Sequence, residues 1–170
     1  MAAYFGEEEI AWTDSNQKTL GLIVSILLIQ IVAIGGAFGF TKLAQRFGNI
    51  LVLTIAIFLW GAVCVYAYFI YSPDQFYLIA GLVGLLMGGT QTVARATFSL
   101  FIPQTSDTTS FFSFYDVTEK IGIFFGLLFY AFAAQITGSV RFSVIIFMFF
   151  FFLGAILLTR VPKIDRKKLA

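Results

Sequence analysis

The sequence contains no histidine, one cysteine and few charged residues, which make up 12% of its 170 positions. Without histidine or a second cysteine, the chain has no intramolecular disulfide, no ordinary zinc-ligand set and no histidine base for catalysis. We expect Cys64, which lies in an apolar run, to be a packed and unreactive thiol. The net charge of +2, with no basic patch among the aromatic residues, predicts no nucleic-acid partner. The sequence has no nucleophile with its base, phosphate loop or metal cage, so we expect neither an enzyme nor a cofactor.

Apolar residues make up 59% of the sequence, and it contains 22 phenylalanines. A soluble domain carries about 25% charged residues and cannot shield this much apolar surface from water. Several runs approach the roughly 20 residues that cross a bilayer as a helix. These runs cover residues 20–40, 50–71, 76–98, 114–135 and 142–158. They are too long for barrel strands, so the sequence predicts an all-α integral membrane protein with about five transmembrane helices, surrounded by the lipid bilayer.

Basic residues are distributed unevenly between the two predicted sides of the membrane. One side collects Lys42, Arg46, Arg95, Arg160, Lys163, Arg166, Lys167 and Lys168. The other side has only Lys18 and Arg141, together with an acidic cluster at residues 7–9. Because cytoplasmic segments are enriched in lysine and arginine, we predict an external amino terminus and a cytoplasmic carboxyl terminus in a bacterial cytoplasmic membrane. Alternatively, the basic tail is a patch that binds lipid headgroups.

The chain is predicted to have three segments. Residues 1–18 hold the tail of a preceding helix and an extracytoplasmic loop, residues 19–161 the five-helix bundle, and residues 162–170 a basic cytoplasmic tail. The amino terminus lacks a basic start and has glutamates at residues 7–9, so we do not expect these residues to be a signal peptide. The opening residues MAAYF are instead typical of the last turn of a helix.

Small residues recur at a spacing of four, which is typical of close helix packing in membranes. The pairs are Gly35 with Gly39, Gly84 with Gly88, and Gly122 with Gly126. Lipid provides no hydrophobic drive for helix association, so van der Waals contact at such positions holds the helices together. The pattern predicts that these helices pack tightly and indicates nothing more about function.

The third apolar run has a polar face. Gly81, Gly84, Gly88, Gln91 and Arg95 follow spacings of three and four, which places them on one side of a helix. We expect Gly88 and Gln91 to line a substrate pathway, because glycine admits a close neighbour and an amide both donates and accepts. Arg95 lies one turn deeper. It either extends to the lipid headgroups or pairs with carboxylates on the next helix to close a cytoplasmic gate.

Carboxylates for such a gate are present at the start of the fourth run. Asp116 and Lys120 are four residues apart and can pair along the helix, with Glu119 between them. A charge cluster that exchanges partners with Arg95 suits a conformational switch, so we favour a gate over a solvated helix start.

Two further polar residues lie within the predicted spans. Gln30 is near the middle of the first span, and we expect it to face the substrate pathway. Tyr130 is near a span end, where anchoring at the membrane interface explains it equally well.

Several motifs resemble one protein family. The segments GGTQTVARATFSLFIP (88–103), FFSFYDVTEKIGIFFG (111–126) and QITGSVRFSV (135–144) are similar in content and order to the vacuole-effluxer, autophagy-related permease family. That family belongs to the major facilitator superfamily, and bacterial members look most similar. The segment TKLAQRFGN (41–49) resembles the superfamily's cytoplasmic loop, although Thr41 replaces its glycine and Gln45 its aspartate. The resemblance places Arg46 in the cytoplasmic gate network.

The resemblance covers nearly the whole chain, as the carboxyl-terminal half of a twelve-helix transporter. It implies that the five spans correspond to helices 8–12 and that residues 1–5 end helix 7. Such transporters rock two halves about a central site, so the resemblance implies a complementary amino-terminal half as partner and a small-molecule solute. Amino acids or related metabolites are the implied substrates. The alternative is a non-transporting assembly or regulatory subunit that packs through its glycine-lined faces.

Overall fold

The computed structural model describes the backbone of residues 2–103, 107–138 and 140–161. This part of the chain forms helices and no strands. The helices are α1 (Ala2–Glu9), α2 (Ser15–Phe47), α3 (Asn49–Tyr68), α4 (Pro73–Ser99), α5 (Thr108–Thr137) and α6 (Val140–Thr159). The all-α fold is therefore confirmed. The opening residues were expected to end a helix at about Phe5, and α1 continues to Glu9. The basic tail at residues 162–170 lies outside the described residues.

Helices α2 to α5 are each long and apolar enough to cross a membrane. The fifth predicted span coincides with α6, in which the apolar stretch found among the described residues is Phe147–Thr159. Large apolar side chains cover the outside of the bundle, as Phe38, Phe58 and Phe149 illustrate with at least 65% of their surface exposed. In water so much exposed apolar surface is unfavourable, whereas in hydrocarbon it is matched to its solvent.

The junction between α2 and α3 differs from the sequence prediction. Residues 41–49 were expected to form a loop, but α2 continues to Phe47 and α3 begins at Asn49. Gly48 alone turns the chain, with φ of 97°. Side chains other than glycine are strained at this φ, and the amide of Gly48 still donates to the carbonyl of Ala44 to cap α2. The expected loop is thus mostly helical, because only the glycine interrupts a sequence of good helix formers.

Helices α4 and α5 begin at side-chain caps. Ser72 and Gln75 form a capping box at the start of α4. Pro73 is the first residue of that helix rather than part of a separate turn, since the first helical position needs no amide donor. Asp107 caps α5 by accepting from the amide of Ser110, and Gly138 ends α5 in the left-handed conformation.

Helices α2 and α4 are in backbone contact. A Cβ atom on Gly88 would collide with the carbonyl of Ala33, and one on Gly36 would collide with that of Leu85. Gly84 meets the backbone of Ile29 in the same way. From Ile29 with Gly84 to Ala33 with Gly88 the residue numbers rise together, so the two helices run in the same direction. The prediction of tight packing is confirmed for the pair Gly84 and Gly88.

The same prediction is wrong for the other two glycine pairs. A Cβ atom on Gly35, Gly39, Gly122 or Gly126 would have no described atom within 4 Å other than its own helix. In α2 the residue that contacts α4 is Gly36, and successive helical residues point about 100° apart, so Gly35 faces elsewhere. Spacing alone identified candidate faces but not which of them carries a neighbour.

The remaining helices pack through aromatic side chains. Trp60 of α3 stacks on Phe151 of α6, with ring centroids 5.8 Å apart. Helix α5 contacts α6 through Tyr130 and Phe147, whose centroids lie 5.7 Å apart. The backbones of α4 and α5, in contrast, scarcely approach within 8 Å among the described residues.

Helix α1 is held at the end of the bundle where α2 begins. The Nε1 atom of Trp12 donates a 2.7 Å hydrogen bond to the carbonyl of Gly6, and Lys18 pairs with Glu7 at 3.2 Å. Phe5 is buried in the core. The short helix is therefore a fixed part of the bundle.

Candidate functional site

Arg95 of α4 forms ion pairs with two carboxylates of α5. Its Nη2 atom lies 2.6 Å from Oδ1 of Asp116 and 3.6 Å from Oε2 of Glu119. The three residues lie near the end of α4 and the start of α5, which the segment around residues 100–107 connects. Because charge-assisted hydrogen bonds are strongest at such short distances, the arginine is oriented toward Asp116. We call Arg95, Asp116 and Glu119 the charge cluster.

Aromatic rings surround the charge cluster. The Cζ atom of Arg95 lies 5.5 Å from the centre of the Tyr115 ring, within range of a cation–π interaction. Phe98, one turn after Arg95, packs against Tyr115 at 4.9 Å and against Phe112 at 6.0 Å between ring centroids. The side chains that join α4 to α5 are thus long ones, reaching across from well-separated backbones.

The charge cluster is accessible rather than buried. The side chains of Arg95 and Asp116 are 54% and 52% exposed, and that of Glu119 is 28% exposed. An ion pair this exposed contributes about 0–1 kcal/mol to stability, because solvent and salt screen the charges. Such a pair holds two helices together weakly and can be broken at little cost.

The structure separates two possibilities that the sequence left open. Arg95 pairs with carboxylates on the next helix, as one of the two alternatives predicted. Asp116 pairs with Arg95 and not with Lys120, so the expected pair along α5 is absent. Within the described residues Lys120 makes no ion pair. The gating role of Arg95, Asp116, Glu119 and Lys120 stays a prediction.

Arg46, the other residue expected at the gate, lies apart from the charge cluster. Its guanidinium is 5.4 Å above the ring of the adjacent Phe47, at the end of α2. Among the described residues, no ion pair joins it to α4 or α5. The structure therefore does not bring Arg46 together with Arg95, and its gating role also stays a prediction.

The pathway candidates lie on α2 and α4. Gln30 and Gln91 are both exposed and make no hydrogen bond to described residues. Gln91 lies one turn before Arg95 on α4. Gly88 packs on Ala33 in the α2–α4 contact, which accounts for the glycine without a substrate. The structure does not bring Gln30 and Gln91 into contact, and their place in a pathway stays a prediction.

The structure contains an apolar cavity between the helices that the sequence did not predict. Its volume is about 390 Å³, and all the helices contribute to its lining. Tyr130 was treated as a residue that could equally be an interfacial anchor, but only 7% of it is exposed and its hydroxyl has no hydrogen-bond partner among the described residues. Met87 of α4 and Cys64 of α3 line the same space. Gly126, one turn earlier on α5, meets no neighbouring helix, so its spacing of four from Tyr130 gave no signal that Tyr130 is buried.

No group of three or more acidic or sulfur ligands that could hold a metal occurs among the described residues. Four helices of membrane-spanning length and apolar composition define a polytopic integral membrane protein. The chain belongs to the vacuole effluxer Atg22-like family, which it matches over residues 1–169. The resemblance seen in the motifs is confirmed.

Curated relatives extend this identification. An uncharacterised MFS-type transporter of Bacillus subtilis, YxiO, is 32% identical over 151 residues, which cover 89% of this chain and 35% of that protein. Autophagy-related protein 22 of Vanderwaltozyma polyspora is 31% identical over 163 residues, which cover 89% of this chain and 30% of the relative. The Saccharomyces cerevisiae protein of that name is 28% identical over 166 residues, covering 91% of this chain and 31% of the relative.

The chain spans about a third of the length of the curated relatives it matches. No solved structure matches it significantly. The family is described as effluxer-like and the Bacillus subtilis relative as a transporter, which supports a transporter at that level of description.

Proposed function

We propose that the chain is the carboxyl-terminal part of a secondary transporter that moves a small solute across a membrane by alternating access. Amino acids or related metabolites are the proposed solutes, and a bacterial cytoplasmic membrane, with the amino terminus outside, is the proposed location. A complementary amino-terminal half completes the transport path. Membership of the effluxer family supports transport, and the charge cluster is the structural observation that carries the mechanism.

The charge cluster suits a gate because it joins helices that otherwise lie apart. Alternating access requires contacts that are made in one state and broken in the other at a cost of a few kcal/mol. The pair of Arg95 with Asp116 is half exposed, so it satisfies this requirement in a way that a buried pair does not. When Arg95 leaves, Lys120 lies one turn along α5 from Asp116 and is free to take its place. Asp116 then exchanges one partner for another and is not left unpaired.

Gln91 is placed to connect solute binding to this gate. It lies one helical turn from Arg95 and offers both a donor and an acceptor. A solute bound at Gln91 is therefore close enough to influence whether Arg95 is paired. Gln30 of α2 is the second proposed pathway residue, and its helix is fixed to α4 by backbone contact.

The test requires a complete transporter. We define the chimera as the part of the Bacillus subtilis relative that precedes its matched region, joined to residue 1 of this chain. Uptake and release of a ¹⁴C-labelled amino-acid mixture are measured in membrane vesicles containing the chimera. We expect Gln91→Ala to reduce transport at least tenfold, and Arg95→Ala to abolish directional accumulation while leaving solute exchange.

Thr92→Val is the matched control, because Thr92 is exposed on the same helix and bonds only the carbonyl of Gly88. If both variants are folded and transport as well as the control does, the pathway and the gate are wrongly assigned. If the unmodified chimera is folded but moves no amino acid, the proposed substrate class is wrong.

A further inference from the structure

A groove runs along the outside of α3, at the end of the bundle where α3 begins and α6 ends. Its volume is about 840 Å³, and its lining is mostly apolar. Leu51, Ile55 and Phe58 of α3 form one wall and are 49–66% exposed, so the groove is open to the surroundings of the bundle. The ends of α4 and α6 and the junction between α2 and α3 complete the lining. We call this space the α3–α6 groove.

The hydroxyl groups that line the α3–α6 groove already have hydrogen-bond partners. Thr54, Thr97 and Thr159 each donate to a backbone carbonyl of their own helix, over distances of 2.6–2.9 Å. A threonine bonded in this way does not offer its hydroxyl proton to a ligand. Because a polar ligand that leaves water needs new partners, the interior of the groove suits a hydrocarbon chain better than a polar solute.

Two arginines lie at the end of the groove where α3 begins, which we call the groove mouth. Arg160 directly follows α6 and is part of the lining. The guanidinium of Arg46 lies 5.4 Å from the ring of Phe47, which is another lining residue. Both arginines are exposed, and neither makes an ion pair among the described residues. The apolar groove therefore has a cationic mouth.

The helices that form the groove contribute no carboxylate to neutralise this charge. Helices α2, α3 and α6 contain no aspartate or glutamate, and the acid of α4, Asp74, lies in its first turn at the opposite end. In α5, Asp116 and Glu119 pair with Arg95. The sequence after Val161 has four basic residues and one aspartate, so it adds no net negative charge. The groove mouth thus favours an anion.

The apolar wall of the groove has about the length of one lipid leaflet. The lining residues of α3 extend from Asn49 to Phe58. At a rise of 1.5 Å per helical residue, this stretch is about 14 Å long. The hydrocarbon core of a bilayer is about 30 Å thick, so each leaflet contributes about 15 Å. A hydrocarbon chain that enters beside the two arginines therefore reaches Phe58 near the middle of the membrane.

We propose that the α3–α6 groove binds an anionic phospholipid, with one acyl chain along α3 and the phosphate at Arg160 and Arg46. Guanidinium groups bind phosphate through paired hydrogen bonds, and basic pockets between transmembrane helices suit acidic headgroups. Neither a soluble anion nor a polar solute makes use of an apolar wall as long as a leaflet. The inference goes beyond the proposed function and does not depend on transport, because every residue it uses lies in this chain.

The first test measures lipid binding to the whole chain in detergent by native mass spectrometry. Phosphatidylglycerol is compared with phosphatidylcholine of the same acyl chains. We expect one phosphatidylglycerol to be retained, and phosphatidylcholine to bind at least tenfold more weakly. The double variant Arg46→Gln with Arg160→Gln should lower the affinity for phosphatidylglycerol at least tenfold. Lys167→Gln with Lys168→Gln is the matched control, since it removes the same charge outside the groove, and it should change the affinity less than twofold.

The second test addresses the acyl chain. Ile55→Trp fills the groove and should weaken phosphatidylglycerol binding at least fivefold. Ile34→Trp is the control, because Ile34 is 62% exposed on α2 and does not line the groove. Its effect should stay within twofold. Both arginines are exposed, so their replacement tests the proposal even if Ile55→Trp unfolds the chain. Melting temperatures of all variants identify any loss of fold.

Several outcomes would overturn the proposal. Equal binding of the two lipids, or equal losses in the two charge variants, would mean that the groove mouth selects no anionic headgroup. Loss of binding in the arginine variant with no effect in a folded Ile55→Trp would place the lipid outside the groove. Displacement of the lipid by inorganic phosphate at the same concentration would assign the arginines to a soluble anion. A fivefold gain in binding after removal of residues 162–170 would make that segment the occupant instead.

Discussion

The Nη2 atom of Arg95 lies 2.6 Å from the Oδ1 atom of Asp116, although the two residues belong to different helices with separated backbones. Each side chain is about half exposed, so the pair combines ideal geometry with a weak net energy. Long, oppositely charged side chains thus join α4 to α5, whereas close backbone packing joins α2 to α4. The difference between these two kinds of contact gives the first two predictions.

Exchanging the charges should separate stability from gating. We expect Arg95→Asp alone to lower the free energy of unfolding by no more than about 1 kcal/mol, because the pair is exposed. Transport by the chimera should fall at least tenfold. Adding Asp116→Arg should restore much of the transport by rebuilding the pair in reverse. A double variant as inactive as the single one would show that the pairing itself is not required. Thermal unfolding in detergent and vesicle uptake provide the two readouts.

A methyl group should be tolerated at one glycine of the bundle and rejected at another. Gly88→Ala places a Cβ atom against the carbonyl of Ala33, and overpacking of this kind costs about 1–3 kcal/mol. Gly35→Ala enters open space in the middle of α2 and should be neutral or stabilising by up to about 1 kcal/mol. Melting temperatures of the two variants test this directly. Equal losses at both positions would contradict the α2–α4 contact.

The start of α5 should depend on pH through Asp107. Hydrogen bonds from the hydroxyl and the amide of Ser110 hold the pKa of Asp107 below its usual range. A lowered pKa in the folded state means that the cap is complete above the ordinary aspartate pKa and is lost as the pH falls through the lowered one. Amide exchange at Ser110, relative to Asp107→Asn, should therefore accelerate only in acid. A parallel pH dependence in the asparagine variant would exclude the carboxylate as its origin.

Trp12 should keep α1 attached to the bundle. Trp12→Phe removes the hydrogen bond to the carbonyl of Gly6, which is worth about 1 kcal/mol, or about a fivefold change in local opening. Cleavage after residues 7–9 by a glutamate-specific protease should accelerate by that factor. Trp60→Phe loses a bond to Thr90 within the bundle and is the matched control. The same acceleration in both variants would mean that α1 is released by global unfolding.

The sequence was sufficient to predict the helices because their apolar runs are long and the interruptions few. The pairing of Arg95 with the next helix also followed from it, as one of two alternatives, since an arginine in such a place has few ways to be satisfied. The sequence could not show which of Gly35 and Gly36 contacts α4, because both are glycine and they differ only in the helix face on which they lie. Tyr130 was assigned equally to the membrane interface, since burial depends on helices distant in the sequence.

Arg46 illustrates a further limit. Its sequence motif agrees with a cytoplasmic loop of the superfamily, yet α2 continues through that motif and stops only at Gly48. The resemblance suggested a role for Arg46 but did not predict the local backbone, because the helix propensity of residues 41–47 extends α2 until Gly48 interrupts it.

The backbone contact between α2 and α4 has a mechanical consequence. Carbonyl groups held against glycine Cα atoms have no rotamers to change, so the two helices cannot slide past one another without a steric collision. The two helices therefore move as one rigid body, and a displacement at one end of either helix also displaces the other end of both. Helix α5 can move more easily relative to α4, because side chains join the two helices and their torsion angles can change.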